Sequence, residues 1–586
     1  MLDVIQRLAG TDARRGLYLV EDFFTPPVLL PYARFPARVA ACAEHFRAQG
    51  IQRGDHVVLP FETTEAALFS LFGLMEVGAI PLSVKPYILS TPRQGYREFL
   101  GRLSERYPVH RILDVPSLGE LELPLRRVPL PPAGAHLEGV RLREMGPGEL
   151  AFVQFSSGST SFPKGVPITQ RNLLANLRMI SQHDGRTAED RGVMWLPLYH
   201  DMGLIGLLTC IYAGVDAYVS QPVSFLMDPM GWLEFMSERR ATLSVIPNFA
   251  IDYALKTMRE LEPKHLARVE LSALRNVYLG SEPINIPNLE LFTEMLAPRG
   301  LRREAIKPCY GMAEAVLMVA CVGRDEAWRA VTAPNGQQAI SVGRPLAEFE
   351  VRLRTEDGAL CGERELGEIE LKGGSLADSY YTDERPLRNG EGYYPSGDLG
   401  FLQDGELFIT GRINDRIKVN GQSYFSSDFE QAIEQLPFIR PGRSVVIQTQ
   451  GRVVVLAEVS HAAALKQRAQ SQLQVCEKLL AVVGVSVAQE DVLFIRYGQL
   501  QKTSSGKLQR RAITEAYVQG QIRIATPMEL RADWLRMRAQ RLFFGSLLDV
   551  RKRGPVAALW RWLSAPRGKR ADPRGWRGTG DRRPGG

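Results

Sequence analysis

The chain has 586 residues, 45% hydrophobic and 23% charged, a balance that excludes disorder over most of its length. Its net charge of +7 belongs to one end: 551–586 hold eleven Lys and Arg against Asp572 and Asp581, a net +9, so the first 550 residues stand at −2. A near-neutral body argues against a nucleic-acid partner, and six scattered cysteines without a CxxC argue against a disulfide framework or a thiolate zinc site and for a cytoplasmic protein.

No apolar signal core opens the sequence, and the longest apolar run, 202–215, is too short to span a bilayer. Apolar residues recur at helical spacing over 36–49 and stop at Gly50. RGDHVVLPF at 53–61 reads as turn and strand, 62–79 as a helix with a glycine stop, and IPLSV at 80–84 as a second buried strand. Helix and short strand alternate again near 191–220, 241–260 and 273–280, which predicts an α/β fold with mainly parallel sheets. After about 340 the texture changes to short alternating strands joined by glycine turns, a β-rich subdomain that closes the large unit. Beyond Gly411, strands at 444–449, 452–460 and 492–497 interleave with helices in a small α+β domain ending near 518. The predicted division is 1–411, 412–518 and a basic tail, 519–586, partly disordered.

The strongest chemical signal is FVQFSSGSTSFPKG at 152–165, between a strand-like stretch and the helix-like RNLLANL. Small hydroxyl and glycine residues, Ser156, Ser157, Gly158, Ser159 and Thr160, let backbone N–H groups and hydroxyls converge on an anion, with Lys164 supplying charge. The order departs from G-x-x-x-x-G-K-[ST], so a P-loop kinase or ATPase is disfavoured. Two His-Asp pairs, at 183–184 and 200–201, suggest a metal hydrolase, but none of the eight histidines forms an HxxxH pair. Taken alone, Asp398 in SGDLG is a turn residue and Lys507 in SSGK a solvated lysine.

As an ordered set these residues resemble the adenylate-forming superfamily of acyl-CoA synthetases, adenylation domains and luciferases. The loop is followed by YGMAE at 310–314, SGD at 396–398, Gly411-Arg412 and KTSSGK at 502–507, so the resemblance covers roughly 15–518. LPLYHDMGLIG at 196–206, PNFA at 247–250 and GQSYFSSDFE at 421–430 are similar to the fatty acyl-AMP ligase branch; Asp428 stands where CoA ligases usually have Glu. The resemblance implies a large N-terminal adenylation body and a small mobile C-terminal domain. It further implies ATP-dependent conversion of a fatty acid to acyl-AMP with magnesium. The acyl group then passes to the pantetheine of a separate acyl carrier protein or, in the alternative, to CoA; a non-catalytic membrane- or carrier-binding relative is the reading from another class.

By the same resemblance Lys507 bridges the substrate carboxylate and the α-phosphate, and Glu314 coordinates Mg²⁺. Tyr310, with Gly311 and Met312, stacks on adenine; Gly280, Ser281, Glu282 and Pro283 line its edge; Asp398 holds the ribose with Arg412 beside it. His200 stands at the entrance to the acyl pocket, walled by Asn248, Phe249 and Ala250. The sequence departs from the family pattern at Ser161 and Phe162 in the loop, at Ser379-Tyr380, and at the hinge position, Asn414. The Trp/Arg-rich segment 556–563 of the tail suits the face of an anionic membrane or an acidic carrier protein.

Overall fold

The computed structural model describes residues 1–88, 92–156, 162–260, 266–419, 422–460, 462–502 and 508–532. By contact Met1–Thr526 form one compact unit and Pro527–Gly586 a second; most of the basic tail lies outside the described residues.

Two sheets carry the body. A nine-stranded sheet runs, in spatial order, Arg344–Pro345, Met318–Cys321, Ile306–Gly311, Asn276–Gly280, Leu243–Pro247, Arg191–Met194, Asp216–Ser220, Gly16–Val20 and Val28–Pro31. Its six central strands are parallel, and antiparallel strands finish both edges. A six-stranded sheet is parallel from Arg126–Pro129 to Leu150–Phe155 and ends in the antiparallel strand Gly165–Thr169. The α/β class predicted from alternating helices and apolar runs is therefore the observed one.

Local chemistry sets the helix bounds. Glu65–Val77 starts at Thr64, whose side chain accepts the Ala67 N–H, and stops at Gly78 in the left-handed region. Gln170–Asp184 begins with Thr169 accepting from Asn172 N–H and ends at Gly185, φ +58°. The helix Asp201–Ala213 has buried residues from Met202 to Ile211. Burying each large aliphatic chain there is worth about 1.5–3 kcal/mol; most of the helix surface is core, and Asp201, Met202, Gly206 and Thr209 line a cavity.

The four-stranded antiparallel sheet, Phe349–Arg354, Gly367–Gly373, Tyr394–Gln403 and Glu406–Arg412, is the β-rich segment read after residue 340. Asp398 lies inside a strand here and not in a turn. Gly397 adopts φ +74°, and this kink lets a turn-like SGD sequence continue a ladder in which Asp398 faces Arg412. A three-stranded sheet, Ile439–Thr449, Arg452–Val459 and Val492–Phe494, follows, with Ser426–Glu434 and Arg468–Val483 among its helices. Packing continues past the helix Arg510–Val518: Ile524 bridges to Ile495, and the Ala525 N–H donates to Phe494 O at 2.9 Å.

Candidate active site

The C-terminal ends of parallel strands meet at one cavity of about 300 Å³, the position where open α/β sheets bind ligands. Asn276–Gly280 delivers Gly280 and Ser281, Ile306–Gly311 delivers Tyr310 and Gly311, and Leu150–Phe155 delivers Ser156.

Ser156 and Lys164 bracket the serine/glycine loop. The Ser156 N–H donates to Lys164 O at 2.9 Å, and both residues line the cavity. Ser157, Gly158, Ser159 and Thr160 lie outside the described residues. Phe162, at the departure from the family pattern, is 7% exposed and packs on Phe99 with ring centroids 5.7 Å apart, beneath the Arg102 guanidinium. Lys164 Nζ sits 4.3 Å above the Tyr380 ring. The Tyr380 hydroxyl in turn donates to Glu314 Oε1 at 2.8 Å, so cation, phenol and carboxylate form one chain.

Glu314 lies on a 3₁₀ turn, Ala313–Ala315, held by two unusual backbone features. Val316 takes φ +72°, a strained value for a β-branched residue. At Gly311 a Cβ would stand 1.7 Å from Leu317 O, and the next N–H, of Met312, donates to that oxygen at 2.8 Å. Only glycine permits that approach. Burial raises the Glu314 pKa, and the negative charge of Asp201 pushes the same way.

Tyr310, Asp398 and Arg412 form a second cluster. The Tyr310 hydroxyl donates to Asp398 Oδ2 at 2.7 Å, and Arg412 Nε lies 2.9 Å from Asp398 Oδ1. The Asp398 side chain is 8% exposed. Its N–H is held by Ser396 Oγ at 3.1 Å. Burial raises the Tyr310 pKa, reinforced by Asp398. Met312 and Asn414 also line the cavity.

His200 and Asp201, at the start of the helix Asp201–Ala213, both face the cavity, with the Tyr199 and His200 rings 4.7 Å apart. Glu282 and Pro283 follow Ser281 in the chain but do not line this space. Neither do the residues read as the chain-binding wall: Asn248 Oδ1 accepts from Asn285 N–H at 3.0 Å, Phe249 meets Trp195 edge-on, and Ala250 is fully buried. Val245, two residues before that motif on the strand Leu243–Pro247, does line it.

Lys507 lies outside the described residues. Lys502 and Leu508, on either side of 503–507, form an antiparallel bridge. Burial lowers the Lys502 pKa while the charge of Glu282, the residue after Ser281, acts against it. Sequence reading noted Tyr380 only as part of a departure from the family pattern and missed it as a partner of Glu314; it also missed Thr209, Tyr278 and Arg186 as lining residues, which no local motif marks.

Among the described residues no group of three His, Cys, Asp or Glu side chains is placed to hold a metal. A magnesium ion asks for less, because one or two carboxylates and the phosphates of a bound nucleotide suffice. Glu314 beside Asp201, both on the cavity wall, fits that donor set. Among the described residues no helix is long and apolar enough to cross a membrane.

The AMP-binding enzyme family profile matches residues 23–381, and that of the Disco-interacting protein 2-like AMP domain matches 414–527. The medium-chain-fatty-acid–[acyl-carrier-protein] ligase JamA of Moorena producens is 32% identical over 413 residues, covering 63% of this chain and 68% of its own. A Caulobacter vibrioides protein named as an acyl-CoA synthetase is 30% identical over 84% of this chain and 91% of its own. A solved structure from work on fatty acyl-adenylate ligases of E. coli and L. pneumophila superposes with a TM-score of 0.79 at 28% identity, covering 88% of this chain and 97% of that one. With the strand-end cavity and its two clusters in place, the chain belongs to the AMP-binding enzymes of the adenylate-forming superfamily and is an AMP-forming ligase.

Proposed function

We propose that this protein activates a fatty acid with ATP, forming acyl-AMP and pyrophosphate, and passes the acyl group to the pantetheine thiol of a separate acyl carrier protein. The observation that carries this reading is the meeting of Ser156, Lys164, Tyr310, Glu314, Asp398 and Arg412 around one cavity. JamA and the fatty acyl-adenylate ligases, named for this chemistry, support the substrate class and the carrier. The relative named for acyl-CoA synthesis keeps CoA as the second candidate acceptor.

In the first step a carboxylate oxygen attacks the α-phosphorus, and the bond to the bridging oxygen breaks with its electron pair leaving on pyrophosphate. Two anions must meet, a repulsion of about 4 kcal/mol at 4 Å and an effective dielectric near 20. Lys164 and the 156–160 loop grip the phosphates, and Lys507 bridges carboxylate and α-phosphate. Glu314, steadied by the Tyr380 hydroxyl, would hold the magnesium ion that supplies further positive charge to the phosphates. The Tyr310 ring packs on adenine, and Asp398 accepts from the ribose hydroxyls. His200 stands where the carboxylate enters. In the second step a thiol attacks the acyl carbonyl, AMP leaves, and the thiol proton passes to solvent. Catalysis is thus positional and electrostatic, with no protein nucleophile. The domain carrying Lys507 would move between the two steps, with Asn414 in place of a charged hinge residue.

The test is incubation with Mg-ATP and a C6–C18 fatty-acid panel, reading acyl-AMP and acyl-CoA by mass spectrometry with and without CoA. Acyl-AMP that persists with CoA present supports the carrier; acyl-CoA formation moves the acceptor to CoA. Lys507→Ala should abolish adenylation while ATP binding survives, and unchanged adenylation would refute the mechanism.

A further inference from the structure

The cavity does not end on hydrocarbon. It runs along the helix Asp201–Ala213, since Asp201, Gly206 and Thr209 all line it. At 1.5 Å per residue this is about 12 Å of depth beyond the point where the carboxylate would sit. Val245 lies against Gly206 here. Next to Thr209, Cys210 meets the Arg186 guanidinium, and Arg186 and Tyr278 both line the cavity.

Arg186 is 3% exposed and is held by Asp184, itself 2% exposed. Its Nε and Nη2 reach Asp184 Oδ2 at 2.9 and 2.6 Å. The Tyr278 hydroxyl donates to the same oxygen. The other guanidinium nitrogen, Nη1, meets Cys210 Sγ at 3.7 Å, a weak acceptor for a strong donor. Gly185, at φ +58°, makes the turn that brings Asp184 and Arg186 together.

A buried ion pair is a weak source of stability, and well-packed apolar residues of similar volume commonly do as well. A guanidinium and a phenol on the wall of a chain-binding tunnel would lose hydration to an apolar chain end and gain nothing in exchange. A hydroxyl or carbonyl oxygen there would accept from Arg186 Nη1, and a hydroxyl could also donate to the Tyr278 oxygen, whose own proton goes to Asp184. Asp184 already balances the charge of Arg186, so a second carboxylate would arrive uncompensated, whereas a neutral oxygen would not. We propose that Arg186 and Tyr278 select acids whose chain carries a neutral oxygen, a hydroxyl or carbonyl, at its distal end, and discriminate against the plain alkanoate of equal length. This rests on the acid-activating reading above.

Two measurements on the full chain separate the possibilities. Adenylation kinetics with ω-hydroxydecanoic and decanoic acid should give a kcat/KM at least tenfold higher for the hydroxy acid, 1.4 kcal/mol at 25 °C, carried mainly by KM. Calorimetry with the two matching non-hydrolysable acyl-adenylate mimics should show the same order of affinity. The paired substitution Asp184→Leu with Arg186→Met should invert the preference; Tyr278→Phe, a smaller change that leaves the ion pair, should reduce it. Equal handling of both acids by the natural protein, or preference for decanoate, overturns the inference while leaving adenylation intact. Failure of both mimics to bind overturns the adenylation reading, and this inference falls with it.

Discussion

Asp398→Asn separates nucleotide binding from folding at the outer end of the cavity. The natural carboxylate accepts the Tyr310 hydroxyl at 2.7 Å through one oxygen and pairs with Arg412 at 2.9 Å through the other. Asparagine keeps the shape and one acceptor, so Tyr310 retains its partner. What is lost is charge. A hydrogen bond from a ribose hydroxyl to a charged group is worth about 1.5–3 kcal/mol, so the KM for ATP should rise about ten- to a hundredfold. Because ground state and transition state hold the ribose alike, kcat should change little. Arg412 is 48% exposed in its side chain, so losing that pair costs roughly 1 kcal/mol or less of stability, a shift in Tm of a few degrees at most. Pyrophosphate exchange titrated with ATP, beside a thermal melt, reads both. An unchanged KM for ATP with a lowered Tm would refute the ribose role and leave Asp398 as a brace for Tyr310 and Arg412.

Three further outcomes are expected. Tyr380→Phe removes the 2.8 Å hydrogen bond to Glu314 and should raise the magnesium concentration for half-maximal rate several-fold, while ATP affinity measured without metal stays put; an unchanged magnesium titration would count against Glu314 as its ligand. Gly311→Ala would drive a methyl to 1.7 Å from Leu317 O and should cost at least ~3 kcal/mol in chemical denaturation; a variant as stable as the natural protein would refute the tight turn. Burial raises the Glu434 carboxyl to about 7, with Ser444 Oγ donating to it at 2.6 Å. The folded state therefore holds this proton more tightly than the unfolded chain does. Its contribution is fully present below about pH 4.5, falls as pH rises, and is lost above about 7, roughly 3 kcal/mol in all. Glu434→Gln should gain stability relative to the natural protein between pH 5 and 8, and parallel denaturation profiles would refute the shift.

Much of this architecture is legible in the chain because it is local. The glycine stop at 78 and the strand IPLSV at 80–84 act within a few residues. Helix periodicity and turn chemistry carry such signals directly. Tyr310, Asp398 and Arg412 are separated by long stretches of sequence, and their meeting follows from pairing in two different sheets; only the order of family motifs hints at it. Tyr380 beneath Lys164 stands at a family-pattern position that says nothing of its partner Glu314, and Arg186 beside Tyr278 carries no motif at all. Asp398 shows the reverse failure. Its SGD context is turn-like by composition, yet the left-handed Gly397 absorbs the irregularity and the strand continues through it.

Charge around the cavity gives a physical reason for the parts that act together. Among the described residues, three acidic side chains, Asp201, Glu314 and Asp398, and three basic ones, Lys164, Arg186 and Arg412, line it. Arg412 is paired to Asp398 and Arg186 to Asp184. Lys164 stands there with Glu314 and Asp201, where the phosphates and the acid would meet. ATP and a fatty acid add several more negative charges in a space of about 300 Å³. Lys164 alone cannot offset them at an effective dielectric near 20, where each close pair of like charges costs about 4 kcal/mol. The proposed reaction therefore calls for further positive charge, from a divalent cation accompanying ATP and from Lys507.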